Sequence, residues 1–369
     1  MSVILTTVAS IFVFSIVILI HEFGHFVTAR KCGIQVNEFS IGMGPAVFHR
    51  VKKGTQYSVR LLPIGGYVSM EGEDGPEEEE KPAPKKEEIF LVEPLGAEKE
   101  TDEKPEGVPF TDVSVPKRMA VVSAGAIMNF VLGFVLLLVL VSSQPYITSK
   151  QINYFPEGSS AAQSGLMIDD EIYSVNGHRC YVASDILYEL SRTENHTADF
   201  VVVRNGEKVQ VPGVKFDTET AEDGSVRMLL GFRVYAREKT PLNVLGEAVN
   251  QTRYYSHLVV TSLLDVVRGR VSVNDLSGPV GIVSAINTAV SYGWEDLFNL
   301  MALLTVNLGV FNLLPVPALD GGRLVLLAVE GLIRKPVNRK VESFINMAGM
   351  ALLMTLMIFV TIQDVIRLT

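Results

Sequence analysis

The sequence predicts a polytopic α-helical membrane protein with four transmembrane helices, membrane-associated β-hairpins and an extracytoplasmic α/β insert. Three observations predict this fold class. Of the 369 residues, 48% are apolar and only 20% are charged, whereas soluble domains carry about 25% charged residues. Four apolar stretches reach the roughly 20 residues of helix that a bilayer requires. Between the second and third stretches, residues 144–240 show the short strands and turns of a folded domain.

The four predicted spans differ in their polar content. We place them at about residues 3–27, 119–141, 297–318 and 345–363. The second and fourth have no charged residue, whereas the first and third end in polar motifs. A cleaved signal peptide is the alternative for the first span, but such a signal begins with basic residues. No Lys or Arg precedes this span, and His21-Glu22 directly follows its apolar run, so we expect a retained helix.

The basic residues that flank the spans predict the orientation, because Lys and Arg accumulate on the cytoplasmic side. Arg30 and Lys31 follow the first span, Lys117 and Arg118 precede the second, and five basic residues lie between the third and fourth. We expect these flanks in the cytoplasm. The N-terminus, the insert and the C-terminus are then expected outside.

The net charge of −9 comes from one segment. Residues 71–107 contain 15 acidic and 5 basic residues, a net charge of −10 that leaves +1 for the rest of the chain. This composition predicts a solvated, mostly disordered cytoplasmic loop. The acidic balance and the lack of a basic stripe argue against nucleic acid as a partner.

The insert has the element order of a small α/β domain. The predicted elements are a turn and short helix at 157–166, a strand and hairpin turn at 170–177, a helix at 183–193, and strands at 198–204 and 207–212. This order resembles a PDZ domain of the bacterial protease type, with Asp169-Asp170 in place of the usual Gly-Asp. The resemblance implies a peptide bound at a sheet edge. A spacer that only limits access to the membrane part is the alternative.

Apolar residues at helical spacing continue beyond the insert. Residues 244–268 predict an amphipathic helix, on the membrane surface or under the insert, or a buried helix of the insert core. We divide the chain into the first span (1–33), a hairpin region (34–70), the acidic loop (71–110), the second span (115–142), the insert (144–240), the amphipathic helix (241–275), the third-span region (276–322), and a cytoplasmic connection with the fourth span (323–369).

The first span ends in His21-Glu22-Phe23-Gly24-His25, the H-E-x-x-H arrangement of zinc hydrolases. Residues four apart lie on one helix face, so His21 and His25 can bind one ion together. Glu22 can lean towards a water bound to that ion and take its proton. Ionisable groups near hydrocarbon are costly and usually mark a functional site. The alternative is that the helix ends at Ile20 and the motif lies in the wet interface.

Catalytic zinc sites generally use three protein ligands and keep one position open. The third span supplies the candidate third ligand, Asp320, after an apolar helix that Pro315 and Pro317 interrupt. Irregular backbone at membrane depth is tolerated where it lines a cavity or is buried. By the predicted orientation, Asp320 and His25 lie on the same side of the membrane. A helix cap formed by Asp320 is the alternative.

These motifs together resemble the site-2 protease family of intramembrane zinc metalloproteases, in its bacterial regulator-of-sigma-E-protease branch. H-E-F-G-H in the first span, a PDZ-like insert and N-L-L-P-V-P-A-L-D-G-G in the third span carry the resemblance. It implies one Zn²⁺ per chain held by His21, His25 and Asp320, with Glu22 as general base. The implied function is regulated proteolysis of single-span membrane proteins, such as anti-sigma factors or signal-peptide remnants, after a first extracytoplasmic cut. The implied location is the bacterial cytoplasmic membrane, with the active site towards the cytoplasm and membrane lipid as surroundings.

The resemblance also implies residues that contact the substrate. Asn312 matches a family position credited with substrate contact, and Asn129 in the second span is a polar residue that can hydrogen-bond across the bundle. The segments 39–45 and 57–68 resemble the family's membrane-associated hairpin, whose edge is thought to hold an unwound substrate; a purely structural hairpin is the alternative. The glycines of this region that we single out are Gly42, Gly44, Gly65 and Gly66.

Two rival functions remain at this point. A non-catalytic scaffold would bind membrane helices or peptide tails through the PDZ-like insert, but it has no need of Glu22 beside three ligands. A metal transporter would need more intramembrane polar groups than these spans contain. The remaining histidines (His49, His178, His196 and His257) have no ligand spacing, so we treat them as ordinary polar residues. Cys32 and Cys180 are expected on opposite sides of the membrane, which excludes a disulfide between them within one chain.

Overall fold

A computed structural model of the protein describes residues 3–73, 107–220, 226–270 and 277–368. Most of the predicted acidic loop lies outside these ranges, so the prediction of disorder there stays a prediction. The elements in chain order are α1 (Val3–Cys32), β1 (Val36–Lys52), β2 (Thr55–Met70), α2 (Val115–Ser143), β3 (Ile147–Tyr154), α3 (Ser160–Gln163), β4 (Glu171–Val175), β5 (His178–Arg179), α4 (Ala183–Ser191), β6 (Thr197–Arg204), β7 (Glu207–Lys215), β8 (Thr218–Thr220), β9 (Val226–Met228), β10 (Arg233–Arg237), α5 (Pro241–Val267), α6 (Pro279–Tyr292), α7 (Trp294–Leu313), α8 (Asp320–Ile333) and α9 (Arg339–Leu368). They form two compact units, Met1–Leu136 with Val259–Thr369, and Leu137–Leu258.

Four helices of the described chain are long and apolar enough to cross a membrane. They are α1, α2, α7 and α9; α1, α2 and α9 contain the first, second and fourth predicted spans, and α7 overlaps the third. The third span is shorter than predicted, because α7 ends at Leu313 rather than at residue 318. The cause is local: Leu314 is extended, with ψ of 143°, as expected for a residue that precedes a proline.

Two helices of the larger unit were not predicted. α6 lies in the segment 276–296 before the predicted third span, where we expected no helix, with Gly278 before its first residue and Pro279 in its first turn. Proline is favoured at this position because its missing N–H has no partner in a first helical turn. α8 begins at Asp320 and occupies most of the segment expected as a plain cytoplasmic connection. Both helices are too short to cross a bilayer alone.

The hairpin region is one long two-stranded antiparallel sheet, not several short hairpins. β1 and β2 pair from Val36↔Met70 to Lys52↔Thr55, and Lys53-Gly54 form the connecting turn with positive φ at both residues. This turn geometry matches the right-handed twist of paired strands. The pairing is irregular in the middle of the sheet, within the predicted segments 39–45 and 57–68.

The smaller unit contains an antiparallel sheet in the order β10-β3-β4-β6-β7, with β5 paired to β4. Its core packs Phe200, Ile172 and Val202 of the sheet against Ile186 and Leu190 of α4. The element order agrees with the one predicted for the insert. Asp169, which stands where a glycine is usual, has φ of 70°. Asp is one of the non-glycine residues that tolerates this left-handed conformation, so the departure leaves the turn intact.

The predicted helix after the insert is α5. Within the smaller unit it buries Val244 and Ala248 and exposes Leu245 and Val249. The exposed side chains are apolar, so both the membrane-surface and the buried-helix interpretations stay open.

Candidate metal centre

Three side chains predicted as metal ligands converge in the larger unit. His21 and His25 lie one turn apart on α1, and Asp320 is the first residue of α8. Oδ2 of Asp320 lies 3.3 Å from Nε2 of His21 and 3.4 Å from Nε2 of His25. The two Nε2 atoms lie 3.1 Å apart. All three donors therefore face one point.

The donor set fits a metal ion better than a hydrogen-bonded cluster. Oδ2 of Asp320 is buried and has no hydrogen-bond partner, which is costly for a polar atom unless something else binds it. The imidazoles of His21 and His25 are also buried. Two imidazoles and one carboxylate are typical zinc ligands, and three protein ligands leave a fourth position for water or substrate.

A hydrogen bond at Nδ1 of His25 determines which of its two ring nitrogens can bind a metal. Nδ1 lies 2.8 Å from the carbonyl oxygen of Val121 in α2. Because a carbonyl only accepts, Nδ1 carries the proton and donates it to Val121. Nε2 is then unprotonated and can donate its lone pair to a metal. A backbone acceptor behind a metal-binding histidine is a common way to orient the ring.

Asn129 supports His21 from the opposite side. Its side-chain amide lies 3.2 Å from Nδ1 of His21, and the hydroxyl of Thr305 donates to the backbone oxygen of Asn129 at 3.2 Å. Asn129 and Thr305 are fully buried. If Nε2 of His21 binds the metal, Nδ1 of the same ring carries the proton and donates it. The side chain of Asn129 must then present its amide oxygen to Nδ1. The predicted hydrogen bonding of Asn129 across the bundle is confirmed.

Small residues bring the helices close enough to form the centre. A Cβ at Gly125 of α2 would lie 2.6 Å from Cε1 of His21 and closer still to Nε2 of His25. A Cβ at Gly24 of α1 would lie 2.8 Å from the backbone carbon of Ala124. Real Cβ contacts of this length do not occur, so α1 and α2 approach closely only because both positions are glycine.

The approach to Asp320 depends on glycine in the same way. The chain turns back after Leu313, and a Cβ at Gly321 would lie 2.5 Å from the carbonyl carbon of Leu313. A Cβ at Gly322 would lie 2.9 Å from the carbonyl carbon of Val316. The two glycines let the first turn of α8 pack on the irregular segment 314–319. This packing positions Asp320 beside α1.

Glu22 lies between the histidines and the hairpin. It follows His21 on α1, and a Cβ at Gly66 of β2 would lie 3.8 Å from Cγ of Glu22. Phe26, one turn further along α1, packs on Phe39 of β1 with ring centroids 4.9 Å apart. The structure therefore brings the middle of the hairpin next to the predicted general base.

The residues predicted to contact a substrate lie at different places around the centre. The amide nitrogen of Asn312 lies 3.4 Å from Nε2 of His21. Gly42, Gly44 and Gly65 have φ between 83° and 86°, where the strands pair irregularly. Asn129 lies behind His21 and is fully buried. The predicted substrate contacts of these residues stay predictions.

Sequence reasoning missed the supporting residues of the centre. Val121 and Thr305 carry no motif signal, because a backbone oxygen and a buried hydroxyl are visible only in three dimensions. Gly125 could have been found, since it lies four residues before Asn129 in the uncharged span 119–141. Arg323 directly follows Gly322 in sequence but does not reach the centre. It forms an ion pair with Glu73, and its guanidinium lies 4.7 Å from the ring centroid of Phe110.

Comparison with known proteins gives a consistent result. The model of peptidase family M50 matches residues 9–356. The chain is 34% identical to the zinc metalloprotease RasP of Shouchella clausii, over 98% of this chain and 99% of that protein. It is 31% identical to the regulator of sigma-W protease RasP of Bacillus subtilis and 32% identical to the probable protease eep of Enterococcus faecalis, with the same coverage. The family match spans most of the chain, and the chain therefore belongs to peptidase family M50, the site-2 proteases, as a multi-pass membrane zinc metalloprotease.

Proposed function

We propose that the protein is an intramembrane endopeptidase that cuts single-span membrane proteins, anti-sigma factors or signal-peptide remnants among them. The observation that carries this proposal is the convergence of His21, His25 and Asp320 between helices that can cross a membrane. A hydrolytic centre at this place acts on peptide bonds that lie within or beside the bilayer. The Bacillus subtilis relative is named regulator of sigma-W protease RasP, and this name supports the same class of substrate.

We assign the metal to His21, His25 and Asp320 and the general base to Glu22. Zinc held there would supply Lewis acidity, which would lower the pKa of a bound water and polarise a peptide carbonyl. Glu22 is adjacent to His21 in sequence and has Gly66 of the hairpin at its side. Its carboxylate takes the proton from the attacking water and then delivers it to the departing amine, which is the usual task of a general base and acid.

The proposed role of Val121 and Asn129 is to orient the two imidazoles. The carbonyl of Val121 holds His25 by Nδ1, and the amide of Asn129 holds His21 by the same ring atom. Such outer partners typically change metal affinity or activity about 10–100-fold when they are removed. Asn312, beside Nε2 of His21, has an amide N–H that can donate to the substrate carbonyl.

We propose that the hairpin holds the substrate in an extended form. A transmembrane helix must unwind before its peptide bonds are accessible, and its backbone groups then need new partners. A two-stranded sheet leaves unpaired N–H and C=O groups along its outer edges, which can bind an added strand. Close packing of Gly66 on Ser40 brings the sheet near Glu22 without a side chain in between.

We propose that the smaller unit is a single PDZ-like domain on the extracytoplasmic side. The order β10-β3-β4-β6-β7 and the position of α4 after the β4–β5 hairpin support this assignment. It would bind a peptide at the edge of its sheet or exclude substrates with intact outer domains. The basic residues that flank α1 and α2 support the placement of the metal centre towards the cytoplasm, in a bacterial cytoplasmic membrane.

The test is cleavage of a single-span reporter by purified protein in detergent or vesicles. The wild type and the exposed control Glu207→Gln are expected to cut a reporter without an outer domain, with products identified by mass spectrometry. Glu22→Gln is expected to bind the same amount of zinc and to cut about 10²–10⁴-fold more slowly. Equal cleavage by Glu22→Gln would refute the assigned chemistry. Reporter binding without cleavage by the zinc-replete wild type would favour the scaffold.

A further inference from the structure

A second cluster of potential metal ligands lies in the smaller unit. His178 of β5, Glu189 of α4 and His257 of α5 each place one donor atom within 4.8 Å of the others. Nε2 of His257 lies 3.5 Å from Oε1 of Glu189. The ring centroids of His178 and His257 are 6.1 Å apart. None of these residues belongs to the centre formed by His21, His25 and Asp320.

Burial distinguishes this cluster from an ordinary surface group of polar residues. The side chain of Glu189 is only 7% exposed, whereas that of His257 is 36% exposed. A buried carboxylate is costly unless a cation compensates its charge. His178 is exposed, so the cluster opens to solvent on one side. An ion can therefore reach the carboxylate without any change in the fold.

Space for an ion and its water exists beside the cluster. A cavity of about 210 Å³ is lined by His178 and His257, together with Asp185, Arg179 and Arg253. Oδ2 of Asp185 accepts hydrogen bonds from the backbone N–H groups of Tyr181 and Val182, so this carboxylate is already used. The guanidinium of Arg253 lies 3.4 Å from the ring centroid of Tyr181, and the Arg179 guanidinium lies 4.7 Å from it.

We propose that His178, Glu189 and His257 bind a second divalent transition-metal ion, zinc by the chemistry of its ligands. Two imidazoles and a carboxylate suit zinc, with water in the fourth position. Tetrahedral bonds of about 2.0–2.1 Å place ligand atoms about 3.3 Å apart. The gap of 3.5 Å between Glu189 and His257 is already near this separation, and the donor atom of the exposed His178 lies within 4.8 Å of both.

The ion would link three elements that are distant in sequence. β5 and α4 belong to the sheet-containing core, whereas His257 is on α5, which follows the last strand. Ring contacts already join these elements, since Tyr188 of α4 lies 6.3 Å from Tyr254 and 6.2 Å from His257, measured between ring centroids. A shared ion makes the attachment of α5 to α4 dependent on metal. Zinc at this site therefore stabilises the smaller unit rather than serving the peptidase chemistry.

The experiment counts zinc per chain in the purified full-length protein equilibrated with buffered Zn²⁺. The wild type and the control His49→Ala/His196→Ala are expected to bind two ions, and His178→Ala/His257→Ala is expected to bind one. The His21→Ala/His25→Ala variant, which lacks two of the proposed catalytic ligands, is expected to bind one zinc ion per chain. Adding His178→Ala/His257→Ala to this variant is expected to reduce the zinc content to zero. This background separates the second site from the proposed function. Cobalt in the same background is expected to give the visible absorption of a tetrahedral site.

A fold control keeps this result interpretable. In the His21→Ala/His25→Ala background, Zn²⁺ should raise the melting temperature of the chelator-treated protein, and it should have no such effect once His178→Ala/His257→Ala is added. Glu189→Gln, which keeps the shape of the side chain, should lower zinc affinity at least about tenfold relative to the wild type. Equal zinc content in the wild type and His178→Ala/His257→Ala would overturn the proposal. The three residues would then form only a histidine–carboxylate ion pair.

Discussion

Gly125 of α2 packs directly against both imidazoles of the candidate metal centre. A methyl group there would overlap the rings of His21 and His25, at 2.6 Å from Cε1 of the former. Gly125→Ala is therefore expected to displace one imidazole and to reduce zinc content and cleavage at least tenfold. Ile127→Ala, at an exposed position of the same helix, is the matched control. Normal zinc content in Gly125→Ala would show that the two helices are less closely packed than described.

Cys180 is predicted to be chemically inert. Burial, together with the nearby carboxylates of Asp185 and Glu189, raises the pKa of its thiol to about 12. Since the thiolate is the reactive form, almost none is present at pH 8. In a Cys32→Ser background, iodoacetamide is expected to leave the native protein unlabelled and to label it after denaturation. Rapid labelling of the native protein would contradict the buried position of this side chain.

At the scale of elements, a polar network joins the two strands of the hairpin. Nη2 of Arg60 donates to Oε1 of Glu38 at 2.7 Å, and the hydroxyl of Tyr67 donates to Oε2 at 2.5 Å. Burial raises the pKa of Tyr67 to about 12, with a further contribution from Glu38, so its hydroxyl remains a donor at neutral pH. Arg60 also donates to Ser40 at 2.9 Å. The network joins both strands beside the irregular glycine positions.

The protonation of Glu38 makes this network dependent on pH. Burial alone would raise the pKa of Glu38, but hydrogen bonds from Ser58, Tyr67 and Arg60 outweigh it and hold the pKa below the ordinary value of 4.5. A lowered pKa stabilises the folded hairpin above that ordinary value, and this stabilisation is lost as the pH falls through the folded-state pKa. Faster amide hydrogen exchange in β1 and β2 is therefore expected only below about pH 4.5.

Removal of Arg60 tests the same network at neutral pH. Arg60→Ala leaves Glu38 without its cation, so severalfold faster deuterium exchange is expected in β1 and β2. Arg50→Ala, at an exposed position of β1, should exchange like the wild type. Identical exchange in Arg60→Ala and the wild type would mean that the backbone ladder alone holds the hairpin.

Local patterns in the sequence are sufficient to predict the four long helices and the three side chains that converge as candidate metal ligands. A long apolar run has one stable form in a bilayer, and a spacing of four places His21 and His25 on one face. The length of the hairpin was not predictable, because Gly42 and Gly65 interrupt the strand pattern without ending the strands. α6 was missed because a short helix after Gly278-Pro279 resembles a break.

Tertiary contacts explain the other differences. His178 and His257 are 79 positions apart in sequence, and only the packing of α5 on α4 brings them together. Val121 supports His25 through its backbone, which no side-chain pattern reveals. Asp320 was predictable as a candidate ligand because an acidic residue after an apolar span needs a partner. Its position at the start of a new helix was not.

At the scale of the whole molecule, the flanking basic residues predict one orientation in the membrane. A membrane-impermeant maleimide is expected to label Glu157→Cys in intact cells or spheroplasts, because this exposed position lies in the insert. Lys117→Cys, in the first turn of α2, is expected to react only after the membrane is opened. Both variants also carry Cys32→Ser, so that this native cysteine does not add to the maleimide labelling of the introduced one. Labelling of Lys117→Cys from outside would reverse the proposed orientation and would place the metal centre towards the other face.

The central claim is that one zinc ion is held jointly by α1 and α8. Zinc-edge anomalous diffraction from crystals of Glu22→Gln protein tests it most directly, since this variant keeps the proposed ligands and lacks the proposed general base. We expect an anomalous peak about 2.0–2.2 Å from Nε2 of His21, Nε2 of His25 and a carboxylate oxygen of Asp320. A zinc-loaded crystal with no peak at this position, or with Asp320 turned away from the two rings, would contradict the account.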